Sequence, residues 1–302
     1  MMSFAGCGGV DMDLTHFSLF TGIGGIDLAA EWAGFKTVGQ CEFADYPTRV
    51  LEKHWPDVER WKDVRSITVE SVRERGIQEV TVLSAGFPCQ PHSVAGERKA
   101  SNDERDLWPE TAERIRILKP RWFLGENVPG ILSSENGRFF GGILRDLAKM
   151  GYSVGWCCYG ANRVGAPHKR ERIFIVAYSD SSRQQRGKNS RSIKESRKNS
   201  KKQFEGFCKT LLCDSYSIPK LQAYSGVDTV REERNSWQGT SRKHRRETSR
   251  TYWEISESPV LGVDDGISDR VDRSIALGNA VVPQQVYPIL KAIADIERCG
   301  ET

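Results

Sequence analysis

The sequence predicts an α/β fold, a mostly parallel sheet covered by helices on both faces, with a small basic region set apart from it. Two observations carry this prediction. Short apolar runs alternate with segments whose apolar residues recur at helical spacing, and between about Ser179 and Ser258 the alternation lapses into Ser, Arg, Lys, Gln and Asn. A chain of 302 residues that is 38% hydrophobic and 28% charged holds one large domain, or a core with a smaller companion. That composition excludes global disorder and collagen-like repetition.

The elements follow in chain order. Met1 to Asp13 has no pattern and is expected to be disordered. His16 to Phe20 is an apolar run ending in Thr21-Gly22-Ile23-Gly24-Gly25, after which Ile26, Ala29, Ala30 and Ala33 recur at helical spacing until Gly34. This reads as strand, glycine turn and helix. Lys36 to Cys41 reads as a second strand with Glu42 at its end, and Asp63 is placed at the end of a third. Val80 to Ala85 is a buried strand running into Gly86-Phe87-Pro88-Cys89-Gln90. Pro109 suits the first turn of a helix that continues through Leu118, and Trp122 to Gly125 is a strand leading to Glu126-Asn127-Val128. Phe140, Ile143, Leu144 and Leu147 form a helical stripe closed by Gly151, and Arg172 to Tyr178 is the last core strand expected. Order returns with Ala276 to Pro283, followed by Val286, Ile289, Leu290 and Ile293 on one helical face.

The net charge of +4 is unevenly spread. Arg183 to Arg250 holds 18 Lys or Arg against 7 Asp or Glu, a local balance of +11, and the remainder stands at −7. Such a segment suits a polyanion, and equally a solvated insert. The eight cysteines form no C-x-x-C pair and have no His close by, so no metal site is expected and a reducing compartment fits best. No apolar run approaches the roughly 18 residues of a membrane span, and a soluble, cytoplasmic protein without membrane attachment is expected.

Certain residues stand where chemistry could be done. Gly22, Gly24 and Gly25 would let backbone N–H groups at a helix start approach an anionic ligand, or would simply make a tight turn. Glu42, 18 residues beyond Gly24, could accept both hydroxyls of a ribose. Asp27 occupies the position where a dinucleotide fingerprint wants its third glycine, which weakens a pyrophosphate reading. Asp63 could meet an adenine amino group or cap a surface turn. Cys89 lies just past a strand terminus at the carboxyl edge of the sheet, where open α/β folds place their sites. Glu126 opens onto the same edge, with Asn127 and Val128 fixing its loop, and poor solvation there would keep its proton, unless it serves as a salt-bridged structural carboxylate. Arg170 and Arg172 stand two apart at the start of a strand and are expected to point the same way, as a cationic fork or as ordinary surface arginines.

Taken in order, Phe17-Ser-Leu-Phe-Thr-Gly-Ile-Gly-Gly25, Glu42, Asp63, Gly86-Phe-Pro-Cys-Gln90, Glu126-Asn-Val128, Arg170-Glu-Arg172 and Gly278-Asn-Ala-Val-Val-Pro283 make the chain resemble the cytosine-C5 DNA methyltransferase family of bacterial and phage Dcm type. The pieces span about position 16 to 298, and residues 179 to 258 match no part of the pattern. His168 and His92 depart from it without removing a catalytic group.

The resemblance implies a Rossmann-like S-adenosylmethionine-dependent methyltransferase with a basic target-recognition region. It implies a catalytic domain made of residues 14–178 and 270–298, with the final helix returning to pack by the first strand, and target recognition in 179–258. The implied activity flips a cytosine out of double-stranded DNA and methylates carbon 5 through a covalent adduct. By similarity Cys89 is the nucleophile, Glu126 contacts N3 and the exocyclic amine, and Arg172, with Arg170 beside it, faces the ring carbonyl. Phe20, Gly22, Ile23, Gly24, Gly25, Glu42, Phe43, Asp63, Val64, Leu107, Asn279 and Ala280 are the implied cofactor residues. A monomer is implied, and a cognate restriction endonuclease is admitted as partner.

This assignment agrees with the chemistry. Carbon 5 of cytosine is too weak a nucleophile until a thiolate adds to carbon 6, and the electron density then pushed into the ring needs a proton or hydrogen bond at N3. The rivals are an RNA cytosine-5 methyltransferase of the same architecture, a catalytically inactive DNA-binding homologue and a nicotinamide-dependent oxidoreductase. Intact Cys89, Glu126 and Arg172 weigh against the second, and Asp27 weighs against the third.

Overall fold

A computed structural model describes residues 13–88, 106–179, 222–224 and 270–299. Eight strands form one sheet: β1 (Thr15–Leu19), β2 (Lys36–Cys41), β3 (Glu59–Trp61), β4 (Val82–Ala85), β5 (Trp122–Asn127), β6 (Ser153–Gly160), β7 (Glu171–Tyr178) and β8 (Gln222–Tyr224), in the order β3-β2-β1-β4-β5-β7-β6-β8. Strands β1 to β5 pair in parallel, whereas β7 runs antiparallel between β5 and β6. The described helices are α1 (Gly25–Ala33), α2 (Asp45–His54), α3 (Val69–Glu74), α4 (Trp108–Leu118), α5 (Arg138–Lys149), α6 (Arg270–Asn279) and α7 (Pro283–Cys299).

The strand sequences explain the two-sided burial. In β5, Phe123 points into one core while Trp122 and Leu124 point into the other, the alternation expected of a strand covered on both faces. Helices α4 and α5 close the Phe123 side with Trp108, Ile115, Ile143 and Leu147. The opposite side is closed by α1 and α7, where Ala29, Ala30 and Ala33 give little bulk and Val286, Ile289, Leu290 and Ile293 fill the space. Helix α7 therefore returns onto α1, the helix after the first strand. Buried Glu297 pins its far end, accepting from Trp122 Nε1 at 2.8 Å and pairing with Arg121.

The structure alters three expectations about elements. Strand β4 starts at Val82 and β5 runs on to Asn127, because each pairs with its neighbour over that length. Strand β6 and helices α2 and α3 carry no strong periodic signal. Helix α2 buries only Leu51, and β6 interrupts its apolar residues with glycine at Gly155 and Gly160. Strand β7 is not the last in the sheet, since β8 joins the edge beside β6 from within the segment read as lying outside the core. Of 1–13 and 179–258, only Asp13, Ser179 and 222–224 are among the described residues.

This topology also positions a site. The chain builds β1, β2 and β3 outward and then crosses back to lay β4 on the other side of β1. The carboxyl ends of β1 and β4 thus flank the point where strand order reverses, the usual place for a ligand in an open α/β sheet.

Candidate active site

A cleft of about 1440 Å³ opens at that point. Its walls include Phe20, Gly22, Glu42, Phe43, Asp63, Val64, Leu107, Asn279 and Ala280, together with Glu126 and Arg172. Thus nine of the twelve expected cofactor residues and two of the four expected catalytic residues meet in one space.

The wall around Glu42 is set by backbone. After β1 the chain turns sharply at Phe20, which takes φ +54°, and Thr21 is tied to β2 through Cys41, its N–H donating to Cys41 O at 3.0 Å. This places Gly22 N–H 2.7 Å from Glu42 Oε2, while Glu42 Oε1 accepts from Ala44 N–H at 2.8 Å. Two backbone donors therefore hold the carboxylate plane, and each oxygen retains a lone pair for a further donor. Asp63 lines the cleft and takes the capping part expected of it, its Oδ1 accepting from Arg65 N–H of the following turn at 2.8 Å.

Ile23, Gly24 and Gly25 lie elsewhere, along a neighbouring cleft of about 910 Å³ with Trp55, His168, Arg170 and Val281. The close approach these glycines allow is made by protein. Gly24, at φ +86°, leaves its Cβ position 2.4 Å from the Trp55 ring, and that of Gly25 lies 2.4 Å from Val281 O. The turn thus divides between the two clefts: Gly22 lines the larger, and Ile23, Gly24 and Gly25 line its neighbour.

To another part of the wall β5 delivers Glu126 and β7 delivers Arg172. Arg172 Nε lies 2.9 Å from Glu126 Oε1, and the two side chains are 18% and 12% exposed. Burial pushes the Glu126 carboxyl above its ordinary range, and the Arg172 and Arg170 charges pull the other way. Gly86 brings the end of β4 against this pair, its Cβ position being 3.5 Å from Glu126 Oε2 and 3.9 Å from Phe20 O. Asn127 then straps the two loops together, donating from Nδ2 to Phe87 O at 3.0 Å and accepting from Val128 N–H at 2.9 Å. Buried Phe87 stacks on Trp108 at 5.4 Å and so anchors the segment that leads to Pro88. Cys89, the expected nucleophile, lies outside the described residues.

Arg170 and Arg172 do not form one fork. Arg170 takes φ +29°, outside the extended region, so the alternation of a strand does not apply to it. Its guanidinium donates to Gly278 O and Ala280 O at 2.8 and 2.6 Å, on the segment before α7, while Arg172 turns to Glu126.

One contributor carries no functional signal in the sequence reading. Asp27, there only a departure from a fingerprint, is fully buried, accepting from Ser18 Oγ and Gln40 Nε2 at 2.9 Å each, and so binds β1, β2 and α1 beneath the turn. A polar residue inside an apolar helical stripe is the signal that could have found it. Asn127, read from the sequence as fixing the segment after Glu126 together with Val128, does so through its bonds to Phe87 O and Val128 N–H.

Residues 14–274 match the family model described as C-5 cytosine-specific DNA methylase. Type II methyltransferase M.BsuFI of Bacillus subtilis is 37% identical over 166 residues, which are 55% of this chain and 39% of that protein. Type II methyltransferase M.NgoBI of Neisseria gonorrhoeae is 36% identical over 163 residues, 54% of this chain and 50% of that protein. The chain thus spans about half or less of the length of these curated relatives. A solved DNA modification methyltransferase encoded within a prophage of E. coli overlays with a TM-score of 0.49 at 24% identity, covering 56% of this chain and 48% of that one.

Proposed function

We propose that this chain, which belongs to the C-5 cytosine-specific DNA methylase family, transfers a methyl group from S-adenosylmethionine to carbon 5 of a cytosine flipped out of duplex DNA. The observation that carries the reading is the meeting of Glu126 and Arg172 with Gly86, just past β4, in one cleft with the amide-held carboxylate of Glu42.

The cleft's donor set fits the cofactor. Glu42 keeps lone pairs for a pair of vicinal hydroxyls, Phe20 and Phe43 offer aromatic surface for an adenine, and the carboxylates Glu42, Asp45 and Asp63 suit a cationic sulfonium. S-adenosylmethionine bound there supplies an electrophilic methyl carbon. Leu107, Asn279 and Ala280 complete the wall.

The chain's own groups prepare the base. The Cys89 thiolate adds to carbon 6, forming the S–C bond and sending the ring's double-bond electrons toward carbon 5, N3 and the carbonyl. Glu126, whose burial favours the protonated form, places a proton at N3, and Arg172 neutralises charge developing on the carbonyl oxygen. Carbon 5 then takes the methyl carbon as its bond to the sulfonium sulfur breaks, leaving S-adenosylhomocysteine. Loss of the carbon 5 proton expels the thiolate while the N3 proton returns to Glu126, restoring the ring. Extrusion of the cytosine costs a few kcal/mol of stacking and pairing. The basic residues of 179–258 supply phosphate contacts that offset it, as a target-recognition unit beside a catalytic unit of 14–178 and 270–298.

Covalent trapping tests the reading. Duplex DNA carrying 5-fluorocytosine in many contexts, incubated with protein and S-adenosylmethionine, should give a denaturation-resistant adduct with the wild type and none with Cys89→Ser. Fluorine at carbon 5 blocks the final elimination. An adduct on structured RNA instead, or none on any substrate while S-adenosylhomocysteine binds, overturns the assignment to DNA.

A further inference from the structure

Arg170 takes part in a reciprocal lock. Its guanidinium grips Gly278 O and Ala280 O, on either side of Asn279. In return Gln285, fully buried in the first turn of α7, donates from Nε2 to Tyr159 O at 2.7 Å and to Arg170 O at 3.2 Å. The Tyr159 hydroxyl closes the circuit by donating to Gln285 O. The start of β7 thus holds the returning segment by its carbonyls, and the returning segment holds β7 and β6 by theirs. A side-chain-bearing residue at φ +29° carries backbone strain, which persists where the surroundings over-determine it.

The lock lies between the two halves of the cleft. Asn279 and Ala280 line the cofactor side, Arg172 lines the base side two residues beyond Arg170, and Arg170 itself is absent from the walls of that larger cleft. A planar guanidinium spanning two carbonyls fixes orientation as well as distance, which a single ammonium does not.

Resting on the function proposed above, we infer that Arg170 is a positioning residue, which holds the Gly278–Ala280 wall in register with the Glu126–Arg172 pair so that cofactor and base are presented to each other correctly. It touches neither.

The test uses S-adenosylhomocysteine binding by calorimetry together with backbone amide exchange. Arg170→Ala should weaken S-adenosylhomocysteine about tenfold, the scale of one charge-assisted hydrogen bond. It should also speed exchange of the Ala280 N–H, which donates to Ala276 O, by about as much. Arg170→Lys, able to reach one carbonyl, should recover part of both effects, and it answers the case in which the alanine variant fails to fold. Arg163→Ala, at an exposed arginine of the same loop, should change neither. Unchanged exchange, or unchanged affinity despite faster exchange, overturns the inference. A wild-type chain that binds no S-adenosylhomocysteine is seen before any substitution is made, and it overturns the cofactor reading and this inference with it.

Discussion

Buried acids with different surroundings illustrate how single residues set the chemistry. Glu126 has a guanidinium 2.9 Å away and still sits above the ordinary carboxyl range, because the cost of desolvating its charge exceeds what Arg172 and Arg170 return. Asp27 takes side-chain hydrogen bonds only from neutral groups, Oδ2 has none, and burial raises it from 3.8 to about 6 against the pull of those bonds and of the Arg60 charge. Above pH 6 the folded state therefore carries a buried carboxylate at a cost, and the cost is relieved as pH falls from about 6 toward 3.8, where the folded chain takes up a proton before the unfolded chain does. His16, neutral between Thr37 and Ser84 with its pKa lowered to about 3, acts oppositely and loses stability as pH falls below 6.5. Asp27→Asn isolates the first effect, since His16 is common to both proteins. Urea unfolding at pH 8 and pH 5 should show the wild type gaining about 1.4 kcal/mol relative to the variant at the lower pH. Parallel behaviour at the two pH values would contradict the assignment of a raised Asp27.

At the scale of elements, the packing of α1 against the segment before α7 depends on a missing side chain. Gly25 begins α1 with Val281 O 2.4 Å from its Cβ position, and a backbone carbonyl cannot swing aside as a flexible side chain can. Gly25→Ala should therefore destabilise the protein by about 1–3 kcal/mol through overpacking. Gly141→Ala, inside α5 with nothing within 4 Å of its Cβ position, should be neutral or stabilising by up to about 1 kcal/mol through helix propensity. Chemical denaturation of the two variants provides the comparison, and equal effects would remove the approach of Val281 as the cause. Neighbouring residues of the turn thus do separate work, Gly22 at Glu42 and Gly25 at the return segment. Their common residue type conceals this in sequence.

For the whole molecule, charge separates what the two regions do. Strands β1 to β7 and the described helices belong to a remainder of net charge −7, whereas Arg183 to Arg250, which contributes only β8 to the sheet, stands at +11. Duplex binding through that segment should fall steeply with salt. Changing Arg242, Lys243, Arg245 and Arg246 to Gln should flatten a plot of log affinity against log salt by up to about 0.9 for each phosphate that is no longer neutralised. An unchanged slope in a filter or fluorescence titration would assign phosphate binding to other residues.

Much of the fold was legible from residues whose message is local. Ile26, Ala29, Ala30 and Ala33 announce a helix by spacing alone, Gly34 ends it in the left-handed conformation that suits a glycine, and Lys36 to Cys41 is a strand with the boundaries read for it. Glu42 and Glu126 were placed correctly at strand ends because a parallel sheet brings all such ends to one edge. Tertiary structure decided whatever depends on partners distant in the chain. It reversed β7 between β5 and β6, and it sent Arg170 to Gly278 and Ala280, 108 and 110 residues away, while Arg172 went to Glu126. It also set Trp55 and Val281 against glycines read as facing a ligand. The physical reason is that periodicity and turn chemistry act over a few residues and are written in the order of the chain. Strand direction, side-chain destination and the pKa of a buried acid depend on neighbours that only the folded sheet brings within reach.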